Sequence, residues 1–235
     1  MKLWKKILII LLIVVAIFVI FTLRKMFILI SLDNKVSELE NTKNNIYAKV
    51  VSKIDGNSTE SEIFIKDDIY KSSFTINDKD KTTVQVVQMT YPNERKVFNS
   101  NENEKTLKIY NEKAPVRGAD LEYSGEASYS VIVNFAQATI LPERLMHSLF
   151  TKIREVELDG KECYELIGSE KSLFIRTNET EKIYGYVEKE TGLPIKRIDV
   201  MKDGSENITT YEYKFDIVTD EDLKEPDASE YKVQE

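Results

Sequence analysis

The chain has 235 residues, 42% of them hydrophobic, and a net charge of −7. That is enough for a sizeable core in one or two domains, and all-β units often use more than about 200 residues as one domain. Residues 1–32 contain Lys2, Lys5, Lys6, Arg24 and Lys25 and no acid, which leaves −12 on residues 33–235. So acidic a body repels phosphate backbones and anionic head groups, and this argues against nucleic-acid binding. Cys163 is the sole cysteine, so no internal disulfide forms. That fits a cytosolic protein, or an exported one from an organism that does not rely on disulfides.

Residues 7–23 read ILIILLIVVAIFVIFTL without a charge. At about 1.5 Å per residue they reach roughly 26 Å, close to the hydrocarbon thickness of about 30 Å once flanking lysines snorkel. A cleaved secretory peptide has the same basic start and apolar stretch. However, Arg24-Lys25-Met26-Phe27-Ile28 follows, with no small-x-small cleavage site and no cysteine for lipid attachment, so an uncleaved transmembrane signal anchor is expected. The lysines before the span place residues 1–6 in the cytoplasm and the body outside. After the anchor, Leu29, Leu32, Val36, Leu39 and Ile46 recur at heptad spacing, too briefly for a dimerising stalk. Residues 24–44 are instead expected to hold a juxtamembrane amphipathic helix, from about Ser31 to Asn44, that packs its stripe on the protein's own sheet.

From Asn45 the apolar period changes from 3.6 to 2, the pattern of strands. Ile46, Ala48, Val50 and Ile54 form one strand face before the Asp55-Gly56 turn, and residues 62–66 answer it. Tyr70, Ser72, Phe74 and Ile76 alternate next. In the following run Val84 and Val86 have one parity but Val87, Met89 and Tyr91 the other, which predicts a bulge near Val86-Val87 that bends the strand and curls the sheet. Short strands near residues 96–98 and 106–110 continue the meander. Between residues 121 and 150, Val131, Phe135 and Ala138, then Leu145 and Leu149 after Pro142, are spaced for two short helices whose apolar faces would cover the concave side of the sheet.

The sheet resumes with residues 152–158, Asp159-Gly160 and residues 161–168, and a two-residue Asp-Gly between β-rich runs is a strong hairpin signal. A second hairpin, YGYVEKETGLPIKRIDVM over residues 184–201, is followed by Asp203-Gly204 and a strand with Tyr211, Tyr213, Phe215 and Ile217 on one face. Residues 45–218 thus read as one β-rich domain. The tail TDEDLKEPDASEYKVQE, residues 219–235, has seven acids against two lysines and is expected to be an exposed, partly ordered strap.

This order of elements resembles the outer-membrane lipoprotein carrier (LolA/LolB/RseB-like) superfamily. The most specific piece is YVEKETGLPIKRIDV, similar to that family's Gly-Leu-Pro hairpin, with DGKECYEL before it and YEYKFDIV after it. The resemblance covers residues 33–218 and concerns structure. It implies a mainly β, α+β fold: a curved antiparallel sheet forming an incomplete β-barrel closed by short helices, here behind an N-terminal transmembrane helix. It also implies an apolar interior that holds acyl chains or binds regulatory partners. A chain fixed by residues 7–23 departs from soluble carriers, since it cannot shuttle between membranes. Membrane-tethered relatives of this kind are typical of Gram-positive bacteria, which the Lys-, Asn- and Ile-rich composition suits.

No catalytic motif stands out. His147 has neither a positioned nucleophile nor an orienting acid, and one His and one Cys lack zinc-site spacing. There is no phosphate-cradling glycine loop, and no cofactor or metal is implied. Three Asn-x-Ser/Thr triplets, at Asn57, Asn178 and Asn207, are short enough to arise by chance. The remaining constellation is aromatic and apolar. Tyr70, Phe74, Val84, Val86, Phe135, Leu145, Tyr211, Tyr213 and Phe215 are the candidate lining of an apolar cavity, against the plainer reading that such residues fill an ordinary packed core. The expectation is therefore a non-enzymatic, membrane-anchored envelope protein that binds a lipid or lipoprotein acyl chain. The alternative is an envelope sensor or scaffold acting through a membrane-protein partner.

Overall fold

A computed structural model describes residues 3–54, 57–78, 81–92, 94–101, 105–113, 148–169 and 180–234. Of the two helices expected between residues 121 and 150, the part up to His147, with Phe135 and Leu145, lies outside these residues, and residues 148–150 are helical. Leu3–Thr42 is one uninterrupted helix, α1, about 60 Å long. Its first half carries exposed apolar side chains all round and is long and apolar enough to cross a membrane. In its second half the stripe Leu29, Leu32 and Val36 is buried, with Leu39 packed beside it. Both halves belong to one rod because neither proline nor glycine interrupts the segment.

Twelve strands follow: β1 (Asn45–Ile54), β2 (Asn57–Lys66), β3 (Ile69–Asp78), β4 (Lys81–Thr90), β5 (Glu94–Asn101), β6 (Thr106–Lys113), β7 (Lys152–Leu158), β8 (Lys161–Ser169), β9 (Thr180–Glu188), β10 (Pro194–Met201), β11 (Glu206–Phe215) and β12 (Lys232–Gln234). They form a single sheet in the order β12-β6-β5-β4-β3-β2-β1-β11-β10-β9-β8-β7. Every pairing is antiparallel except β12 on β6. Its two ends, β7 and β12, do not pair, so the sheet stays open, as expected for an incomplete barrel. The pairing of β1 with β11 joins the meander before residue 114 to the one after residue 151. The hairpins obey their turn chemistry: Asp159 (φ 52°) and Gly160 (φ 76°) both take the left-handed backbone of a type I′ turn.

One expectation is corrected. Val84 through Thr90 pairs with β3 and β5 in unbroken register, so no bulge forms at Val86-Val87. The register shift lies at Ile76/Asn77, where residue 83 is skipped. Both parities of β4 carry apolar residues because the strap covers Val87 and Met89 on one face while Val86 lies half-buried on the other, so the alternation that marks a strand with one wet face is lost.

The tail runs as a strap docked along the face opposite α1, with most of its side chains exposed. Asn45 grips its start, donating Nδ2 to Val218 O (2.9 Å) and accepting from Val218 N (2.8 Å). Lys66 then reaches Asp220, Lys71 donates to the carbonyls of Asp222 and Lys224, and Lys96 reaches Glu225. Ala228 and Tyr231 close over Val87, Met89, Phe98 and Leu107, and β12 ends the strap on the edge of β6. Two of its seven acids, Asp220 and Glu225, meet lysines of β2 and β5, and Lys71 of β3 holds its backbone, while most of its side chains stay exposed.

Candidate functional site

Register assigns the two faces of the sheet. Ile46, Ala48 and Val50 of β1 oppose Phe215, Tyr213 and Tyr211 on one side and Ile65, Ile63 and Ser61 on the other. Those β2 residues oppose Tyr70, Ser72 and Phe74, and the series continues through Val86 and Val84 of β4. The candidate residues Tyr70, Phe74, Val84, Val86, Tyr211, Tyr213 and Phe215 therefore share one face of five adjacent strands, about 19 Å across. It is the face that bears α1, since Tyr213 and Phe215 pack with Leu166, Val187 and Leu193 against Leu29, Leu32 and Val36. Beyond that contact Tyr70, Phe74, Val86 and Tyr211 are half-buried, and Ile76 is exposed.

Between these rings lie residues that composition does not single out. Ser61 and Ser72 are buried on this face, and Ser52 and Thr209 share a hydroxyl contact of 2.7 Å on it. Small side chains beside Phe74 leave room that a second large one would fill. Ser61 Oγ is buried with no hydrogen-bond partner among the described residues. Such a hydroxyl costs free energy unless something bonds to it. The face thus offers apolar area with hydroxyls set into it, the combination that receives an acyl chain together with an ester or carboxyl oxygen. Serine gives no periodic signal of its own, which is why the sequence did not mark Ser61 and placed Ser72 only by its position between Tyr70 and Phe74.

The opposite face has a different character. A groove of about 260 Å³ is lined there by Tyr47, Glu62, Phe64, Lys214, Ile217 and the start of the strap. Tyr47 donates to Glu62 Oε1 (2.8 Å), and burial together with that carboxylate pushes its phenol well up. Charged tips close this groove, and it lies where the strap leaves the sheet, so it offers little apolar depth. Cys163 is buried, and burial pushes its thiol up, away from the thiolate that reactivity needs. Among the described residues no three His, Cys, Asp or Glu side chains gather as metal ligands.

The hairpin that presents α1 to the sheet is held by Glu188. Its carboxylate meets Lys161 Nζ (2.8 Å) and accepts from Thr191 Oγ1 (2.6 Å), which in turn accepts from Leu193 N (3.2 Å). Burial alone would raise this carboxyl, but Lys161 and Thr191 outweigh it and hold it below the usual carboxylate range. A depressed carboxyl stabilises the fold above its unfolded pKa, and that contribution disappears as pH falls through the folded one. Glu188→Gln should therefore cost about 1–2 kcal/mol at neutral pH and flatten the acid limb of thermal stability. Melting curves between neutral and acid pH check this, and parallel acid limbs for both proteins would refute it.

No protein-family model matches the chain. No curated protein matches it either. Solved structures do. One is an uncharacterized conserved protein of Thermus thermophilus, 12% identical, covering 86% of this chain and 96% of that one with a TM-score of 0.47. Another is the MucA/MucB complex of Pseudomonas aeruginosa, 14% identical over 87% of this chain and 63% of that one, TM-score 0.44. A third is a LolA superfamily protein of Nitrosomonas europaea, 11% identical over 83% of this chain and 96% of that one, TM-score 0.28. The superfamily that the sequence resembles is thus named among them. At these identities and TM-scores the likeness concerns the fold loosely and says nothing of ligand or partner.

Proposed function

We propose that this is a membrane-anchored, extracytoplasmic protein that holds an apolar ligand, a lipid or the acyl part of a lipoprotein, on the helix-bearing face of its sheet. The observation that supports the reading is the band Tyr70, Phe74, Val86 and Tyr211, half-buried beside the unpartnered hydroxyl of Ser61. The apolar first half of α1 supplies the anchor and keeps the band close to a source of acyl chains. Binding needs no catalytic group, so the reading is of a holder rather than an enzyme.

The test uses the full chain, because a fragment beginning at residue 33 would lose Leu29 and Leu32 from the core. Reconstituted in lipid nanodiscs with a photoactivatable fatty acid, the protein should crosslink through β3, β4 or β11 as well as through residues 7–23. Crosslinks confined to residues 7–23 would sink the ligand reading. The interaction reading would then fall to the open edge of β7 rather than to the tail, whose Asp220 and Glu225 already face Lys66 and Lys96.

A further inference from the structure

From Leu3 to Leu23 every side chain of α1 is exposed except Thr22, which is buried in the last turn of the apolar stretch. The folded body therefore reaches down beside the helix to a level inside that stretch. Thr22 and Lys25, three residues apart, lie on the same side of the helix. There Lys25 Nζ donates to Leu149 O (3.3 Å) and Thr151 O (3.0 Å), so its ammonium ties residues 148–151 to the point where α1 leaves the apolar stretch. Helical side chains lean toward the N-terminus, so this tie is drawn toward the span rather than away from it.

Phe150 sits between those two carbonyls. Ser148 and Thr151 are buried, but the Phe150 ring is 48% exposed. On the far side of the helix, two residues beyond Lys25, Phe27 is 65% exposed. Two large exposed aromatic rings thus lie near the end of the span, one on α1 itself and one on the segment that Lys25 holds. An apolar ring held in water at that height has an apolar phase next to it, and aromatic side chains are favoured at the membrane–water interface.

We infer that residues 148–151 form a second membrane-contact site, in which Phe150 enters the interfacial layer of the leaflet beside α1 and seats the β7 edge of the sheet on the lipid surface. The inference rests on the anchoring part of the proposed function, and the occupant is the bilayer itself. A single tryptophan reports it. In a Trp4→Phe background, Phe150→Trp, Phe18→Trp and Ile217→Trp are each reconstituted as full chains in phosphatidylcholine vesicles whose lipids carry bromine on the acyl chains. Ile217 is 51% exposed and lies next to Asp216, which meets Lys43 beyond the far end of α1, about 26 Å from Lys25 along the axis.

Tryptophan at residues 18 and 150 should lose most of its emission to the brominated chains, and tryptophan at residue 217 hardly any. Quenching at residue 150 no greater than at residue 217, with residue 18 quenched, would overturn the second contact and leave the anchor standing. An unquenched residue 18 would overturn the anchor and the inference with it. Phe150 is a surface ring replaced by another aromatic, so circular dichroism of the same samples should match the parent protein.

Discussion

Replacing Gly192 by alanine is expected to destabilise the protein by about 2–4 kcal/mol, although the change adds one methyl group in a turn. Gly192 holds φ 78°, a left-handed conformation that costs an L-residue on the order of 1 kcal/mol. The larger part comes from α1. A Cβ built on Gly192 stands 2.5 Å from the carbonyl oxygen of Leu32 and 3.2 Å from Lys35 Cβ. A backbone carbonyl in mid-helix cannot swing aside, so the β9–β10 hairpin or the helix must move. That movement opens the cluster of Leu29, Leu32, Val187 and Leu193, and it breaks the bond from Lys35 Nζ to Lys189 O. Gly160→Ala is the internal reference, because Gly160 has φ 76° but no atom within 4 Å of its added Cβ. Denaturant unfolding of the full chain in detergent, followed by circular dichroism, gives both costs. An equal loss for the two variants would mean that the helix does not press on the hairpin.

Deleting residues 219–235 is expected to have the largest effect of all. The strap covers Val87, Met89, Phe98 and Leu107, of which Met89 has no exposed surface. Burying a side chain of this kind contributes about 1.5–3 kcal/mol, so uncovering parts of four costs roughly 4–8 kcal/mol, close to the whole stability of an ordinary domain. The deletion also bares the edge of β6, a template for pairing between molecules. The shortened protein should aggregate on purification and lose slow amide exchange in β4 and β5. Asn45→Ala is the graded companion: it removes the two bonds that grip Val218 and should cost about 1–2 kcal/mol while leaving the cluster covered. A deletion variant as stable and monodisperse as the parent would show that the strap merely rests on the sheet.

The parts of this fold that were legible are those where one side of a strand is wet and the other dry. β7 and β8 are delimited by Asp159-Gly160, and β11 by alternating Tyr211, Tyr213 and Phe215, because their outward residues are polar. β4 was misread for the opposite reason: the strap covers Val87 and Met89 on one side and Val86 is half-buried on the other, so both parities carry apolar side chains without any bulge. The strap itself was opaque because its partners Lys66, Lys71 and Lys96 stand roughly 130–150 positions away, and seven acids in a row of seventeen residues have the composition of a solvated tail. Gly192 could be read as a turn glycine but not as a contact with Leu32, since that contact exists only after the sheet and α1 have met. On the candidate face, Tyr70, Phe74, Val86 and Tyr211 followed from period-two spacing, whereas Ser61 became visible only through its cross-strand neighbours Val50 and Phe74.

With its first half in a bilayer, as proposed, the unbroken course of α1 would make the protein a lever. A helix without proline or glycine does not hinge where it leaves a bilayer, and its far half is clamped by Leu29, Leu32, Val36 and Gly192. Helices answer changes in bilayer thickness by tilting. Over a rod about 60 Å long, a tilt of about 10° swings the far end by about 10 Å, and the sheet turns with it. On the proposed anchoring, lipid thickness would thereby set the height and angle at which the helix-bearing face stands over the membrane.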